Sequence, residues 1–258
     1  MRIYVTGARG FIGGHLLPAL AAAGHEIGAS VQGCDAVVHL ANIAHTSASP
    51  DALLRVNVEG TIAQAKVGLD AGVRRFVYLS SIKAARPDDA YGRAKATAEA
   101  MLLKLEGLRA TIFRPPLVYG PGVKANFLAL VRAVDRGWPL PLASVANRRS
   151  LVYVGNLVDA IIACLGAPQA VGKVYAVSDG EPVSTPDLVR AIARGLGKPA
   201  RLIPFPPSLL RWVPPLRRLT DSLEVDDSAI RTELSWYPPY TFEQGLRATA
   251  EWYLAQGR

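Results

Sequence analysis

The stretch Thr-Gly-Ala-Arg-Gly-Phe-Ile-Gly at residues 6–13 follows directly on the apolar run Ile3-Tyr4-Val5. Helical spacing then continues to Ala23 and stops at Gly24, a residue type that commonly ends helices. Side chains are absent at three positions where a backbone can approach closely: Gly7, Gly10 and Gly13. The first N–H groups of a helix attract an anionic pyrophosphate. A tight structural turn is the alternative, but the strand before and the helix after favour a dinucleotide-binding site.

A second informative segment is Tyr91-Gly-Arg-Ala-Lys95, at the start of an alanine-rich stretch over 94–105 that should be helical. Four-residue spacing places both side chains on one helix face. Because an ammonium group near a phenol favours the phenolate, we expect Lys95 to lower the pKa of Tyr91, which could then act as a general acid or base. A solvated pair is the alternative. The strand just before ends in Ser80-Ser81, and ligands sit at the carboxyl ends of strands in open parallel sheets.

Composition excludes several classes of protein. Half of the 258 residues are hydrophobic, yet no uninterrupted apolar run reaches membrane-spanning length, and no signal-peptide pattern is found. The net charge of +8 comes from scattered basic residues, so we expect anionic small-molecule ligands and no nucleic-acid partner. Cys34 and Cys164 give no disulfide framework and are expected to be inert core thiols in a cytoplasmic protein. No histidine spacing suits a metal site.

Strand and helix patterns alternate along the chain, which predicts an α/β fold with a doubly wound parallel sheet. Strands are predicted at 2–6, 25–30, 35–40, 75–80, 109–114, 151–154 and 173–178. Helices are predicted at 11–23, 51–71, 90–106, 125–136, 156–165, 185–196 and 242–255. The signals are weaker in the C-terminal part, which holds a proline-rich stretch at 204–215.

These segments together resemble the extended short-chain dehydrogenase/reductase family, in its sugar-nucleotide epimerase/dehydratase branch. The resemblance covers nearly the whole chain. It rests on TGARGFIG at 6–13, DAVVHLA at 35–41, VNVEGT at 56–61, LSSIK at 79–83, YGRAK at 91–95, RPPLVYGPG at 114–122, RRSLVYVGNLVDAI at 148–161 and ELSWYPPYTFEQGL at 233–246.

The resemblance implies NAD or NADP as cofactor, a dinucleotide-binding Rossmann domain at 1–114 and 150–179, and a smaller substrate-binding lobe at 115–149 and 180–258. It implies that Tyr91 is the catalytic acid/base and that Lys95 holds the nicotinamide ribose. Ser81 would hydrogen-bond the reacting sugar oxygen, with a strand-end cap as its alternative role. Cofactor contacts are implied for Gly7, Gly10, Phe11, Ile12, Gly13, Leu40, Ala41, Tyr91, Lys95 and Pro115.

A nucleotide-sugar substrate, most simply a UDP-sugar, is also implied. Arg149 matches a family arginine that binds the nucleotide diphosphate, and guanidinium suits bidentate phosphate contacts. Asn126 matches a family asparagine near the nucleotide sugar. Either side chain could instead be a solvated surface group. Relatives commonly form homodimers through the helix that carries the tyrosine, so a homodimer without stable membrane insertion is expected.

The residues after Ser81 bear on the reaction. Ile82-Lys83 stand where the 4,6-dehydratases carry an Asp-Glu pair that eliminates water, which argues against dehydration. A UDP-hexose or UDP-N-acetylhexosamine 4-epimerase and a 4-ketoreductase remain. The alternatives are a reductase of a non-nucleotide carbonyl and a non-catalytic NAD(P)-binding protein. Membrane association through 204–218 is a weaker hypothesis.

Two polar residues in the matching segments have competing roles. His39 could serve as a base, but its place inside DAVVHLA favours a structural core histidine. Asn57 in VNVEGT would support the active-site strand or helix by resemblance, and a plain helix-start role is the alternative.

One region does not fit the predicted layout. Only four residues, 31–34, separate the predicted strands 25–30 and 35–40, whereas a parallel crossover usually needs about a dozen. Nine residues separate Ser81 from Tyr91, where the family usually has a longer loop. The sequence therefore predicts omitted segments near 30–33 and 83–86, with a shortened protein as the alternative. The residue that selects NAD or NADP normally ends the second strand, and Ser30, Val31 and Gln32 include neither an acid nor an arginine.

Overall fold

The computed structural model describes residues 1–43, 48–210, 212 and 219–257. The described residues contain a six-stranded sheet of order β2-β1-β3-β4-β5-β8, with every pairing parallel. A second, two-stranded parallel sheet pairs β6 with β7. The strands are β1 (Arg2–Thr6), β2 (Glu26–Ile27), β3 (Ala36–His39), β4 (Arg75–Leu79), β5 (Arg109–Arg114), β6 (Leu117–Tyr119), β7 (Leu151–Tyr153) and β8 (Val174–Ala176).

Helices connect most of these strands. They are α1 (Phe11–Ala22), α2 (Pro50–Leu53), α3 (Gly60–Asp70), α4 (Ala90–Lys104), α5 (Ala125–Asp135), α6 (Val154–Gly166), α7 (Thr185–Gly195), α8 (Pro207–Leu210), α9 (Ser228–Leu234) and α10 (Phe242–Ala255). A π-helical segment, Leu54–Glu59, joins α2 to α3, and 3₁₀ turns lie at Ile82–Ala84 and Pro168–Ala170.

Local chemistry explains where several helices begin. The Asp89 side chain accepts a hydrogen bond from Gly92 N at 2.7 Å and so caps α4. Ser184 caps α7 in the same way. Thr241 and Gln244 form a reciprocal capping box at the start of α10. These polar caps satisfy backbone N–H groups that have no partner inside the helix.

The predicted fold class is confirmed, because the six-stranded sheet is parallel and its strand order reverses at β1. All four residues of β3 and four of the five in β4 are buried, as expected for strands covered on both faces. One strand was assigned to the wrong sheet: residues 151–153 pair with 117–119 in the two-stranded sheet. The strand β6 was not predicted from the sequence, and β7 pairs with it outside the main sheet.

The predicted second strand, 25–30, is wrong in length. Glu26 and Ile27 pair with Arg2 and Ile3 on one side of β1, and Ala36 pairs with Ile3 on the other side. The chain therefore leaves the sheet at the end of β2 and re-enters it at the start of β3, in both cases opposite Ile3 near the amino end of β1. It does not have to return along the length of a strand. A short crossing suffices for this path, and Cys34 N donates to Val31 O within it at 3.2 Å.

This crossing also affects cofactor selection. It begins with Gly28 N donating to Ile3 O and ends with Asp35 N donating to Arg2 O. The residues between, including Ser30, Val31 and Gln32, thus follow β2 near the amino end of β1 and not at the carboxyl edge of the sheet. The omission of segments near 30–33 and 83–86 stays a prediction.

The chain divides into two compact units. Unit 1 comprises Met1–Pro116, Leu157–Val177 and Asp226–Tyr237, and unit 2 comprises Leu117–Asn156, Ser178–Val225 and Pro238–Arg258. The predicted domains differ from these units at 115–116, 150–156, 178–179 and 226–237. The assignment of unit 1 to the cofactor and of unit 2 to the substrate stays a prediction.

Both cysteines are buried and free, and burial raises the pKa of each thiol, to about 12 for Cys164, as expected for inert core thiols. Among the described residues no helix is long and apolar enough to cross a bilayer, and no cluster of side chains could hold a metal ion. The proline-rich segment lies partly outside the described residues, at 211 and 213–218.

Candidate active site

The glycine turn lies where the strand order reverses, between the carboxyl ends of β1 and β3. Gly7 has φ +70°, and a Cβ there would lie 2.7 Å from Ala41 N. A Cβ on Gly13 would lie 2.5 Å from Ala8 O. Gly10 N donates to Gly7 O at 2.9 Å and closes the turn. Close backbone packing thus requires glycine at positions 7 and 13.

The start of α1 suits an anion. Gly10 at the N-cap provides no side chain to cap the helix, and no acidic residue lies in the first turn. The N–H groups of the first turn, which include those of Phe11 and Ile12, therefore have no side-chain cap. A pyrophosphate would meet N–H dipoles of the favourable sign here. Leu40 and Ala41 follow β3 at the same edge, so the residues present fit a dinucleotide, and the individual contacts stay predictions.

His39 is part of a buried hydrogen-bonded chain. Its Nδ1 lies 2.8 Å from Thr6 Oγ1 and its Nε2 lies 3.2 Å from Thr61 Oγ1. Burial, with a smaller contribution from Lys95, lowers the pKa of His39 to about 4. The imidazole is therefore neutral near pH 7 and is occupied on both nitrogens, which supports the core interpretation.

Asn57 ties the π-helical segment to the chain that follows β3. Its Oδ1 accepts from Ile43 N at 2.8 Å and its Nδ2 donates to Ile43 O at 3.0 Å. The side chain is fully buried. Asn57 lies inside a continuous helical run, so the helix-start role is wrong and a supporting role fits.

Ser81, Tyr91 and Lys95 come together in unit 1. Ser81 directly follows the residue after β4, and its hydroxyl accepts from Lys83 N at 3.3 Å. The Tyr91 side chain, in the first turn of α4, lies close enough to Ser81 for the Ser81 hydroxyl to lower the Tyr91 pKa. Lys95 lies one turn further along α4, with Nζ 5.9 Å from the Tyr91 ring centroid. The predicted three residues are thus neighbours, although their catalytic roles stay predictions.

The expected lowering of the Tyr91 pKa is wrong for the free chain. Burial, and secondly the Asp89 carboxylate, raise the pKa of Tyr91 to about 12, while the nearby Ser81 hydroxyl partly opposes this. The Lys95 ammonium, which donates to Leu79 O at 2.8 Å, does not offset the rise. Lys83 forms an ion pair with Asp89 and also lies 5.9 Å from the Tyr91 ring centroid.

Sequence reasoning missed a buried ion pair beside Lys95. Glu99 is 3% exposed and receives Arg114 Nε at 3.1 Å on each carboxylate oxygen. Ser80 Oγ donates to the same carboxylate. Glu99 stands four residues after Lys95, and that spacing, with an arginine at the end of β5, was the available signal.

The remaining predicted residues occupy different places. Pro115 follows β5, and its carbonyl accepts from Ile82 N at 3.0 Å. Asn126 and Arg149 belong to unit 2. Asn126 is exposed on α5, and Arg149 donates to Asp221 O at 2.8 Å. Burial lowers the pKa of Arg149, as expected for a guanidinium held partly away from water. Substrate contacts of both residues stay predictions.

A parallel sheet with a glycine turn at its switch point is the arrangement of a dinucleotide-binding Rossmann domain, as the sequence predicted. The pattern of the NAD dependent epimerase/dehydratase family matches residues 28–178. The chain belongs to this family, and the class of cofactor predicted from the sequence, NAD(P), is the one on which the family depends.

Three known proteins illustrate its similarities. The chain is 40% identical over 250 residues to a UDP-glucose 4-epimerase from Vibrio cholerae, covering 84% of this chain and 76% of the relative. It is 26% identical over 306 residues to a ceramide reductase from Caulobacter vibrioides, covering 99% of this chain and 95% of the relative. The crystal structure of UDP-glucuronic acid 4-epimerase from Bacillus cereus in complex with NAD superimposes with a TM-score of 0.81 at 19% identity, covering 100% of both chains.

One alignment bears on the short connections. The alignment with the ceramide reductase spans 306 positions, more than the 258 residues of this chain, so it contains gaps opposite segments of the relative. Either an omitted segment or a shortened protein accounts for such gaps.

Proposed function

We propose that this chain is an NAD(P)-dependent UDP-sugar enzyme, a 4-epimerase or 4-ketoreductase of a UDP-hexose or UDP-N-acetylhexosamine. The observation that carries the proposal is the proximity of Ser81 to Tyr91, with Lys95 one turn away on α4 and its Nζ 5.9 Å from the Tyr91 ring centroid. The 40% identity to a UDP-glucose 4-epimerase supports the nucleotide-sugar substrate. The Ile82-Lys83 pair favours these reactions over dehydration, because neither side chain is a carboxylic acid.

Each of the three residues has a chemical task in this proposal. Ser81 hydrogen-bonds the substrate oxygen and orients it toward Tyr91. Tyr91 donates a proton to that oxygen in the reducing direction, and a raised pKa keeps the phenol protonated and ready at neutral pH. In the oxidising direction Tyr91 accepts the proton, which requires a nearby positive charge, and Lys95 supplies it. When bound, NAD(P) supplies the hydride acceptor and donor.

The residues that would hold the cofactor are those of the glycine turn, with Leu40, Ala41 and Pro115 beside it. Lys95 and Tyr91 would contact the nicotinamide ribose. NAD and NADP are both compatible with the proposal, since the crossing after β2 supplies no selecting residue at the carboxyl edge. Arg149 and Asn126 in unit 2 would bind the diphosphate and the sugar.

The experiment that tests this function is incubation of the full chain with UDP-glucose, UDP-N-acetylglucosamine and a 4-keto UDP-sugar, each with and without added NADPH. Interconversion of 4-epimers without net cofactor consumption identifies an epimerase. Stoichiometric oxidation of NADPH with the 4-keto sugar identifies a ketoreductase. Absence of both reactions, with NADH bound and the fold intact, contradicts the proposal.

A second candidate is the reduction of a non-nucleotide carbonyl. It is favoured by the ceramide reductase similarity, which covers nearly the whole chain, although at 26% identity. UDP protects a nucleotide-sugar enzyme against thermal unfolding but leaves such a reductase unaffected. A rise in Tm with UDP therefore favours the first function, and its absence together with NADPH-dependent reduction of an apolar ketone favours the second.

A homodimer in the cytoplasm completes the proposal. Apolar side chains are exposed on the helical elements beside the site. Val56 lies in the π-helical segment before α3, Val67 lies on α3, and Met101 and Leu103 lie on α4. A second copy that covers some of these side chains would remove them from water. Sedimentation should give twice the mass of one chain, and a Met101→Lys change should shift it toward the monomer.

A further inference from the structure

A buried aromatic ring lies directly beside the Lys95 ammonium group. Tyr78 on β4 and Lys95 on α4 are both completely buried. Lys95 Nζ lies 4.6 Å from the centroid of the Tyr78 ring, closer than to the Tyr91 ring at 5.9 Å. A cation over an aromatic face is stabilised most where water is excluded. The Lys95–Tyr78 pair therefore has the geometry and the water-free environment in which a cation–π interaction is strong.

The Lys95 ammonium has few other partners. It carries three N–H donors, and within the described part of the chain Leu79 O, at 2.8 Å, is the hydrogen-bond acceptor that the structure gives it. The Glu99 carboxylate, one turn further on, is engaged by Arg114 and Ser80. Burial lowers the pKa of Lys95 to about 7, and Glu99 partly opposes this. The charge of Lys95 thus depends on weak contacts, of which the ring is one.

The other ionisable groups around Lys95 do not replace the ring. His39 on β3 is neutral near pH 7, and Tyr91 is protonated there. Arg114 on β5 is paired with Glu99. Lys83, in the 3₁₀ turn beyond Tyr91, is paired with Asp89.

The hydroxyl of Tyr78 plays no corresponding part. It is buried and, in the described structure, has no hydrogen-bond partner. The Thr61 hydroxyl is near enough to lower the Tyr78 pKa slightly against the dominant effect of burial, but the two groups do not reach hydrogen-bond geometry. The ring and the hydroxyl can therefore be separated by substitution with Phe.

We propose that the aromatic face of Tyr78 is a positioning element for Lys95, which holds the ammonium in place and keeps it protonated beside Tyr91. This inference rests on the proposed function, in which Lys95 must be a cation to stabilise the Tyr91 phenolate. Tyr78 touches neither substrate nor cofactor in this role and acts through Lys95.

The test is a pH titration of Lys95 Nζ by NMR in the free full-length chain, with ¹⁵N-labelled lysine side chains. The Lys95 signal is the one lost in Lys95→Arg. We expect Tyr78→Phe to leave the Lys95 pKa within about 0.3 unit of wild type, because the aromatic face is kept. We expect Tyr78→Leu to lower it by about one unit, which is about tenfold less cation at any pH above both values.

Two outcomes overturn the inference: a Lys95 pKa in Tyr78→Leu equal to that of wild type, or an equal shift in Tyr78→Phe and Tyr78→Leu, which would assign the effect to the hydroxyl. Thermal unfolding checks that each variant folds. If the Leu variant does not fold, Tyr78→Met, unbranched and without an aromatic face, takes its place. The titration uses no substrate, so its outcome is independent of the test of the proposed function. The proposed function fails if no UDP-sugar is converted.

Discussion

At the scale of single residues, His39 shows how burial decides the role of a side chain. Both ring nitrogens lie near threonine hydroxyls, and the ring stacks at 5.7 Å on Phe76 and at 6.0 Å on Tyr78. The sequence already favoured this outcome, because the histidine stands in an apolar strand. A buried neutral imidazole also makes stability depend on pH.

We predict that acid destabilises the wild type through His39. The pKa of His39 is about 4 in the folded protein and the ordinary pKa of histidine is 6.5, so the unfolded chain binds the proton more readily. The contribution is fully present above pH 6.5 and is lost as the pH falls toward 4, on the order of 3 kcal/mol in all. Urea unfolding at pH 7 and pH 5 should show a smaller pH-dependent loss in His39→Gln. An equal loss in both proteins would contradict the assignment.

The candidate site could be predicted in position but not in electrostatics. Four-residue spacing placed Tyr91 and Lys95 on one face of α4, and that is where they lie. Burial is the largest cause of the pKa shifts of both Tyr91 and Lys95. Burial by parts of the chain that are distant in sequence leaves no local signal, so the direction of the Tyr91 shift could not be read from the sequence.

At the scale of elements, α1 and its glycine turn were predicted almost to the residue. A strand, three glycines and a run of apolar residues with helical spacing are local signals, and local signals determine this strand–turn–helix element. The length of β2 was not predictable in the same way, because it depends on where the chain crosses β1. Glu26 and Ile27 are the pairing residues, and the crossing begins immediately after them.

Two neighbouring glycines in α1 provide a matched test of this element. A Cβ on Gly13 meets Ala8 O at 2.5 Å, whereas a Cβ on Gly14 meets nothing within 4 Å. We expect Gly13→Ala to destabilise the fold by about 1–3 kcal/mol and to weaken NADH binding at least tenfold, because the turn must open. Gly14→Ala should stabilise the helix by about 0.5–1 kcal/mol and leave binding unchanged. NADH fluorescence titration and thermal unfolding measure both effects. Similar binding in the two variants would refute the close-packed turn.

At the scale of the whole molecule, unit 1 is completed by a segment far along the chain. Residues 226–237 join unit 1, where Trp236 Nε1 donates to Asp159 Oδ1 at 2.7 Å and Tyr175 donates to Glu233 at 2.8 Å. This segment was assigned to the substrate lobe because the family resemblance implies a lobe built from the segment after Arg114 and from the C-terminal third of the chain. The helix α9 in this segment was not among the predicted helices, and no local pattern shows which unit the segment joins.

Two tryptophans test that arrangement. Trp236 is 5% exposed and Trp212 is 85% exposed. We expect Trp236→Ala to cost about 3–5 kcal/mol of unfolding free energy, because it leaves a cavity and removes the donor to Asp159. Trp212→Ala should stay within about 0.5 kcal/mol of wild type. Urea unfolding followed by circular dichroism compares them, and equal effects would contradict the described packing.

The central claim is that Tyr91 exchanges the proton with a UDP-sugar bound beside NAD(P). Its most direct test is the turnover of Tyr91→Phe with the UDP-sugar that the wild type converts, at saturating cofactor. We expect a loss of about 10²–10⁴-fold in kcat with the fold intact by thermal unfolding, because the proton-transferring hydroxyl is removed. A kcat within threefold of wild type would contradict it.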